Sequence, residues 1–269
     1  MSTVHSLHRT ADTRDTLLCL HSSGSSGRQW SPYAAPLASR FHVVAPDLLG
    51  YAGDRRWPTG TPASLDDEAK ALAALLPPAG AHVFGHSYGA SIALQLALRW
   101  PERVKSLTLY EPVRFALLFG HPATETAGET IFGVGRRIGM EVLSGAHHAA
   151  AASFVDYWSG EGSWAALEPR RRDALAQRMP KVQAEFEALF ADRVPVTAYR
   201  TLRLPVRLLG GTRSPLPARG VLDRLEANLP NVTRATLPGL GHLGPIEAPA
   251  QVLAELDWLR TSEALPRAA

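Results

Sequence analysis

Short runs of apolar and β-branched residues recur along the chain, separated by longer amphipathic stretches. The runs are Thr16-Leu17-Leu18-Cys19-Leu20, Phe41 to Ala45, Ala81 to Phe84, Val104 to Tyr110, Val206 to Leu209 and Val232 to Leu237. Short continuous apolar runs bounded by turn residues suit strands buried on both faces. Residues 4–10 alternate weakly and read as an edge strand. The stretches between carry helical features. One contains Trp30, Tyr33 and Leu37. Another opens at Ser64, with Asp66 and Asp67 behind it, and runs to Leu76 before Pro77-Pro78. A serine N-cap with carboxylates in the first turn answers the unpaired N–H groups of a helix start. Further helices are predicted over Ser87–Trp100, stopped by Pro101, over Ala218–Asn228 and over Pro249–Thr261. Leu48 to Pro62 is rich in Gly and Pro and reads as loop.

Strands alternating with helices predict an α/β fold: a mostly parallel, twisted sheet with helices on both faces. The rhythm breaks from about Val113 to Thr201, where Ala, Arg, Glu and Trp dominate and Val182, Phe186, Leu189 and Phe190 keep helical spacing. This segment reads as a helical insertion after the strand ending near Tyr110. Residues 1–112 and 202–269 then form the core, and 113–201 the insertion. The 269 residues, 45% of them hydrophobic, suffice for one sizeable core plus such an insertion.

Charge and cysteine content narrow the function classes. Lys plus Arg is 28 against 25 Asp plus Glu, a net charge of +3 spread along the chain. The densest clusters, Gly135-Arg136-Arg137 and Arg170-Arg171-Arg172, read as solvated helix faces rather than a nucleic-acid surface. The single cysteine, Cys19, lies in an apolar run, so it is expected as a buried thiol, and no disulfide forms within one chain. Met1 to Asp15 lacks the apolar core of a secretory signal, and no 18-residue apolar run exists. The expectation is a soluble cytoplasmic protein, monomer or homodimer, acting on a small molecule without membrane or nucleic-acid partners.

In parallel sheets, sites form at the carboxyl ends of the strands. Gly85-His86-Ser87-Tyr88-Gly89 joins a predicted strand to a predicted helix there, in the Gly-x-Ser-x-Gly spacing of a nucleophile elbow. The serine of such a turn is strained and the chain passes close to itself on both sides, which favours glycine at 85 and 89. A serine hydroxyl needs a base. Of the 10 histidines, His242 is best placed, in Pro238-Gly239-Leu240-Gly241-His242 just past the last predicted strand. His86 is expected opposite or beneath the elbow, His21 as a loop-holding residue, and His147 and His148 on a helix surface. No pair of histidines has metal-ligand spacing, so neither metal nor cofactor is expected.

The chain resembles the α/β-hydrolase family. The resemblance rests on Leu20-His21-Ser22-Ser23-Gly24 with Trp30 after it, Ala45-Pro46-Asp47-Leu48-Leu49-Gly50, Gly85-His86-Ser87-Tyr88-Gly89, and Gly239-Leu240-Gly241-His242 followed by Glu247-Ala248-Pro249. It implies a serine hydrolase with a helical cap, the insertion, and a sheet of up to eight strands, the first of which the short N-terminus omits. It also implies a Ser–acid–His triad. The family's usual acid stands in a Gly-x-x-Asp-Pro arrangement, where this chain has Gly211-Thr212-Arg213-Ser214-Pro215. Serine cannot replace the anion. Glu111, directly after Tyr110, is the expected substitute, since some family members place the acid at that strand end. Asp223, a cap residue, or no acid at all are the alternatives.

The oxyanion hole is expected from the backbone N–H groups of Tyr88 and Ser23, although Ser22 stands where the family usually has glycine. Asp47 is expected to shape its loop. Phe115, Phe119, Trp158 and Trp164 are candidate lining for an apolar pocket under the cap. The expected reaction is hydrolysis of a carboxylic ester of a small or medium apolar substrate. Carbon–carbon or thioester hydrolysis, acyl transfer, and a non-catalytic binding role remain open on the sequence.

Overall fold

Among the described residues, six strands form one parallel sheet. The structure, a computed structural model, describes residues 14–51 and 62–259. Its strands are β1 (Asp15–Leu20), β2 (Phe41–Val44), β3 (Ala81–His86), β4 (Val104–Tyr110), β5 (Val206–Gly211) and β6 (Val232–Leu237), in the order β2-β1-β3-β4-β5-β6. All six runs expected as strands are strands. The expected edge strand at 4–10 and most of the loop 48–62 lie outside the described residues.

Period-two alternation explains why helices cover both faces. Leu18, Leu20, Val83, Leu107, Leu109 and Leu208 point into one core, with α2 (Leu65–Ala73), α3 (Tyr88–Arg99) and α7 (Leu216–Glu226). Leu17, Cys19, Phe84, Tyr110 and Leu209 point into the other, with Tyr33 and Leu37 of α1 (Ser31–Leu37) and Val252 of the helix Pro249–Ala254. Successive residues of a strand face opposite ways, so the central strands β1, β3, β4 and β5 serve both layers and are mostly buried, whereas the edge strands β2 and β6 are only partly so. Burial pushes the Cys19 thiol pKa up, as expected of an inert core cysteine. Ser64 caps α2 as its position predicts, accepting from Asp66 N at 3.2 Å and Asp67 N at 3.4 Å.

Between β4 and β5 the chain leaves the sheet. It forms a single helical turn at Phe115–Leu118, then α4 (Glu125–Leu143), α5 (His147–Ser159), α6 (Pro169–Ala191) and a turn at Val196–Thr201. Ile131, Ile138, Ala150, Ala151, Met179, Val182 and Phe186 pack together and continue into the first core. Arg114, fully buried, ties this segment to the sheet layer through Asp192 Oδ2 (2.9 Å) and Gln95 Oε1 (3.2 Å). No helix among the described residues is long and apolar enough to cross a membrane.

Topology positions the site. After β1 the chain moves outward to β2 and returns on the other side of β1 as β3. That reversal leaves a crevice between the carboxyl ends of β1 and β3. The pairs Leu20↔Gly85, His86↔Tyr110 and Tyr110↔Leu209 bring four strand ends level.

Candidate active site

The elbow is as close-packed as its glycines require. Ser87 has φ 55° and ψ −117°, a conformation L-residues rarely adopt. A Cβ on Gly85 would lie 2.4 Å from the Ala90 Cα, and one on Gly89 would lie 2.3 Å from the Leu20 carbonyl oxygen. The second contact also shows how tightly the start of α3 abuts the end of β1. Ser87 N donates to Tyr110 O at 2.9 Å, so the turn is anchored to the neighbouring strand.

Glu111 follows Tyr110 at the end of β4 and is the other non-glycine residue with positive φ (45°) among those described. Its backbone N–H bonds Leu209 O at 3.0 Å, and its side chain is fully buried. His242 arrives from the loop after β6, two strands away. That loop folds back over β5: a Cβ on Gly211 would fall 2.0 Å from Leu240 O. Tyr110 Oη then pins the loop by donating to Gly241 O at 2.7 Å.

These three strand ends bring the expected side chains together. His242 Nε2 lies 2.9 Å from Ser87 Oγ, and His242 Nδ1 lies 2.7 Å from Glu111 Oε2. The other carboxylate oxygen, Oε1, accepts from Gly211 N at 2.9 Å and from the Ser214 hydroxyl. Ser214 stands where the resemblance puts the acid, and here it donates to the acid instead. Asp223 is elsewhere, on α7, paired with Arg234 at 2.6 Å. All three members are withdrawn from solvent: Ser87 is 5% exposed, His242 3% and Glu111 0%.

Two further histidines are neutral structural pieces. Gln29 Oε1 accepts from Ser22 N (3.1 Å) and Ser22 Oγ (3.0 Å), which makes its Nε2 the donor to His86 Nδ1 at 3.0 Å. His86 Nε2–H then donates to His242 O at 2.8 Å. Burial holds the His86 pKa well below the usual histidine value, consistent with one proton and two roles. His21 Nδ1 donates to Ser22 O at 2.8 Å, and its Nε2 accepts from Leu48 N at 3.0 Å. Its pKa is lowered by burial to about 4. Asp47 accepts from Gly27 N at 2.6 Å and so shapes its loop. His148 is exposed on α5, beside Asp173.

Of the four aromatic candidates, Trp158 lies directly on the cluster. Its ring stacks on His242 with centroids 3.9 Å apart and planes at 28°. Phe115 lies parallel to Trp158 at 6.5 Å, fully buried. Phe119 sits instead with Phe132 and Phe190 and is 37% exposed. Trp164 is half-buried next to His148. Among the described residues no group of three or more His, Cys, Asp or Glu side chains is placed to hold a metal ion.

This order of strand ends, with a strained serine after β3 and a histidine after the last strand, matches a family profile over residues 17–256. The chain belongs to the alpha/beta hydrolase family. A member from Bacillus subtilis, an uncharacterised carboxylesterase, is 24% identical over 240 residues, 88% of this chain and 76% of that protein. Lipase LipV of Mycobacterium tuberculosis is 37% identical over 99 residues, 36% of each chain. The chain thus spans about a third of the length of several curated relatives it matches. The alpha/beta hydrolase MGS-M2, from a deep-sea metagenome library, superposes with a TM-score of 0.76 at 16% identity, covering 96% of this chain and 92% of its own. That likeness speaks for the fold.

Gln29, His86 and Ser214 were not predicted as members of this network. Gln29 carries no motif. Arg178, Lys181 and Glu185 of α6 were not singled out either: Arg178 bonds Gly24 O at 2.7 Å, and Lys181 pairs with Glu68 of α2 and with Glu185; their signal in the sequence is charge at i, i+3 and i+7 of a helix whose next stripe is apolar.

Proposed function

We propose that this alpha/beta hydrolase cleaves carboxylic esters of small or medium apolar substrates through an acyl-enzyme on Ser87. The observation that carries the reading is the unbroken chain from Ser87 Oγ through His242 to Glu111, at 2.9 and 2.7 Å. Ser87 Oγ attacks the ester carbonyl while His242 Nε2 takes its proton. Glu111 keeps Nδ1–H in place and stabilises the imidazolium that forms. The carbonyl oxygen becomes an oxyanion facing the N–H groups of Tyr88 and Ser23. Tyr88 N–H belongs to the first turn of α3, where helix geometry supplies no acceptor. His242 returns its proton to the leaving alcohol. Water then attacks the acyl carbon while His242 Nε2 takes its proton, and His242 passes that proton to Ser87 Oγ as the acyl–oxygen bond breaks and the acid departs.

The helices between β4 and β5 act as a cap in this reading. Trp158 covers one face of His242, shields it from water, and stabilises the imidazolium through its π face. Phe115 extends the apolar wall toward the acyl chain. A carboxylesterase and a lipase among the relatives favour the ester over other acyl substrates.

A fluorophosphonate probe and p-nitrophenyl butyrate test this reading together. The wild-type protein should be labelled on Ser87 and should hydrolyse the ester, and Ser87→Ala should do neither. Folded wild-type protein that neither labels nor hydrolyses would overturn it.

A further inference from the structure

We propose that Arg178, on helix α6 of the cap, is a positioning residue for the oxyanion hole, holding the turn at 22–25 so that Ser23 N–H faces Ser87. This rests on the serine-hydrolase reading above.

Ser22 to Ser25 form a tight turn, closed by Ser25 N donating to Ser22 O at 3.2 Å, with Gly24 at φ +69°. Gly24 occupies the position of such a turn that needs positive φ. In a trans peptide the N–H points opposite to the C=O. The direction of Ser23 N–H is therefore set by whatever holds Ser22 O. That oxygen accepts from Ser25 N and from His21 Nδ1 at 2.8 Å. The turn's own orientation is set by its far side. There Gly24 N donates to Tyr51 Oη at 2.8 Å, and Arg178 Nη1 donates to Gly24 O at 2.7 Å and Ser25 O at 3.1 Å.

Arg178 is thus the strut that α6 contributes. Its neighbours on the same helix face, Lys181 and Glu185, fix the helix to the core. Lys181 Nζ lies 2.8 Å from Glu68 Oε1 of α2, with both side chains buried. Glu68 Oε2 in turn accepts from Leu49 N at 3.1 Å. Glu185 lies 3.3 Å from Lys181. Burial raises the pKa of both carboxyls against the pull of Lys181, and Ser23 also lowers that of Glu185. Buried charges are costly unless paired, and here Lys181 is paired with both carboxyls, one on α2 and one on its own helix. Here they hold the helix that carries Arg178.

Arg178→Met removes the donor and keeps the length of the side chain. With p-nitrophenyl butyrate, kcat should fall about 10- to 100-fold, less than loss of a direct oxyanion donor, with KM within about threefold. A trifluoromethyl ketone, whose hemiketal adduct on Ser87 presents an oxyanion, should weaken in step with kcat/KM. Arg178→Lys, which keeps one donor, should recover part of both. If kcat stays within twofold, if only KM rises, or if the ketone binds unchanged, the proposal is wrong. If Arg178→Met does not fold, Arg178→Lys decides alone: a kcat and ketone affinity equal to wild type overturn the proposal, and a parallel loss in both supports it. Failure of the wild type to react with the fluorophosphonate is a different result, because it removes the hydrolase reading itself.

Discussion

The two sides of Ser87 are held in different ways. On the acid side everything comes from strand ends of the sheet. Glu111 ends β4, Gly211 and Ser214 follow β5, and His242 follows β6, all joined by hydrogen bonds within the core layer. On the other side, which the proposed reaction uses for the oxyanion, the turn after β1 is held partly by the core, through His21, Tyr51 and Gln29, and partly by Arg178 of a helix inserted after β4. The acid side is a closed unit that strand register already fixes. The turn after β1 has its full set of hydrogen bonds only when the helical segment is packed against the sheet.

The sharpest way to break this contrast is at Glu111. Glu111→Gln keeps the shape and the bond from Gly211 N but cannot stabilise an imidazolium, and it favours the wrong tautomer of His242. Hydrolysis of p-nitrophenyl butyrate should fall about a thousand- to ten-thousand-fold in kcat, with little change in KM. A loss of only a few-fold would mean that the acid side is not the unit described.

The same contrast explains what was legible in the sequence. Ser87, Glu111 and His242 could be read because each sits one or two residues past an apolar run or within a glycine-defined loop. Strand ends and close backbone approaches leave marks on residue type: Gly85, Gly89 and Gly211 tolerate no Cβ. The central strands were legible for a related reason, since a strand covered on both faces reads as a continuous apolar run, while the edge strand β6 was legible from its β-branched Val232, Thr233 and Thr236. Gln29 could not be read that way. Its part depends on a side-chain amide reaching both Ser22 and His86, 57 residues ahead of it in the chain. Phe119 shows the converse limit. Its aromatic ring suited a pocket, but nothing local told which face of the segment it would take. Ser214 was read as a deficit because it replaces an expected carboxylate. Only the fold of β4 beside β5 turns it into a donor for Glu111.

At His21, which holds the turn after β1 from the core, the effect to look for is in stability. His21 is buried and neutral, with its pKa lowered to about 4 from 6.5. Below pH 6.5 the unfolded chain binds a proton at this residue that the folded chain does not. Stability from this group is therefore full above about pH 6.5 and is lost as the pH falls toward 4. The loss by pH 4.5 is roughly 2 to 3 kcal/mol. In His21→Asn the group is gone, so urea unfolding of the variant should depend less on pH by that amount between 7.5 and 4.5. Parallel profiles for the two proteins would show that His21 is not a buried neutral strut of the turn.

The smallest effect is expected at Ser214, and it separates holding the acid from being the acid. Ser214 Oγ donates to the Glu111 oxygen that does not face His242, and Gly211 N donates to the same oxygen at 2.9 Å. Removing the hydroxyl in Ser214→Ala leaves that oxygen one donor and leaves the bond to His242 intact. Hydrogen bonds to a carboxylate contribute roughly 1.5–3 kcal/mol, and a partner that keeps another donor loses the lower part of that range. The carboxylate is the same species before and during reaction, so most of this loss falls on ground state and transition state alike. Urea unfolding should thus show a destabilisation of about 1 to 2 kcal/mol, while kcat falls less than about tenfold. A fall of more than a hundredfold, with stability unchanged, would mean that Ser214 takes part in orienting His242 during the reaction, and the acid side would then need two residues where the geometry gives it one.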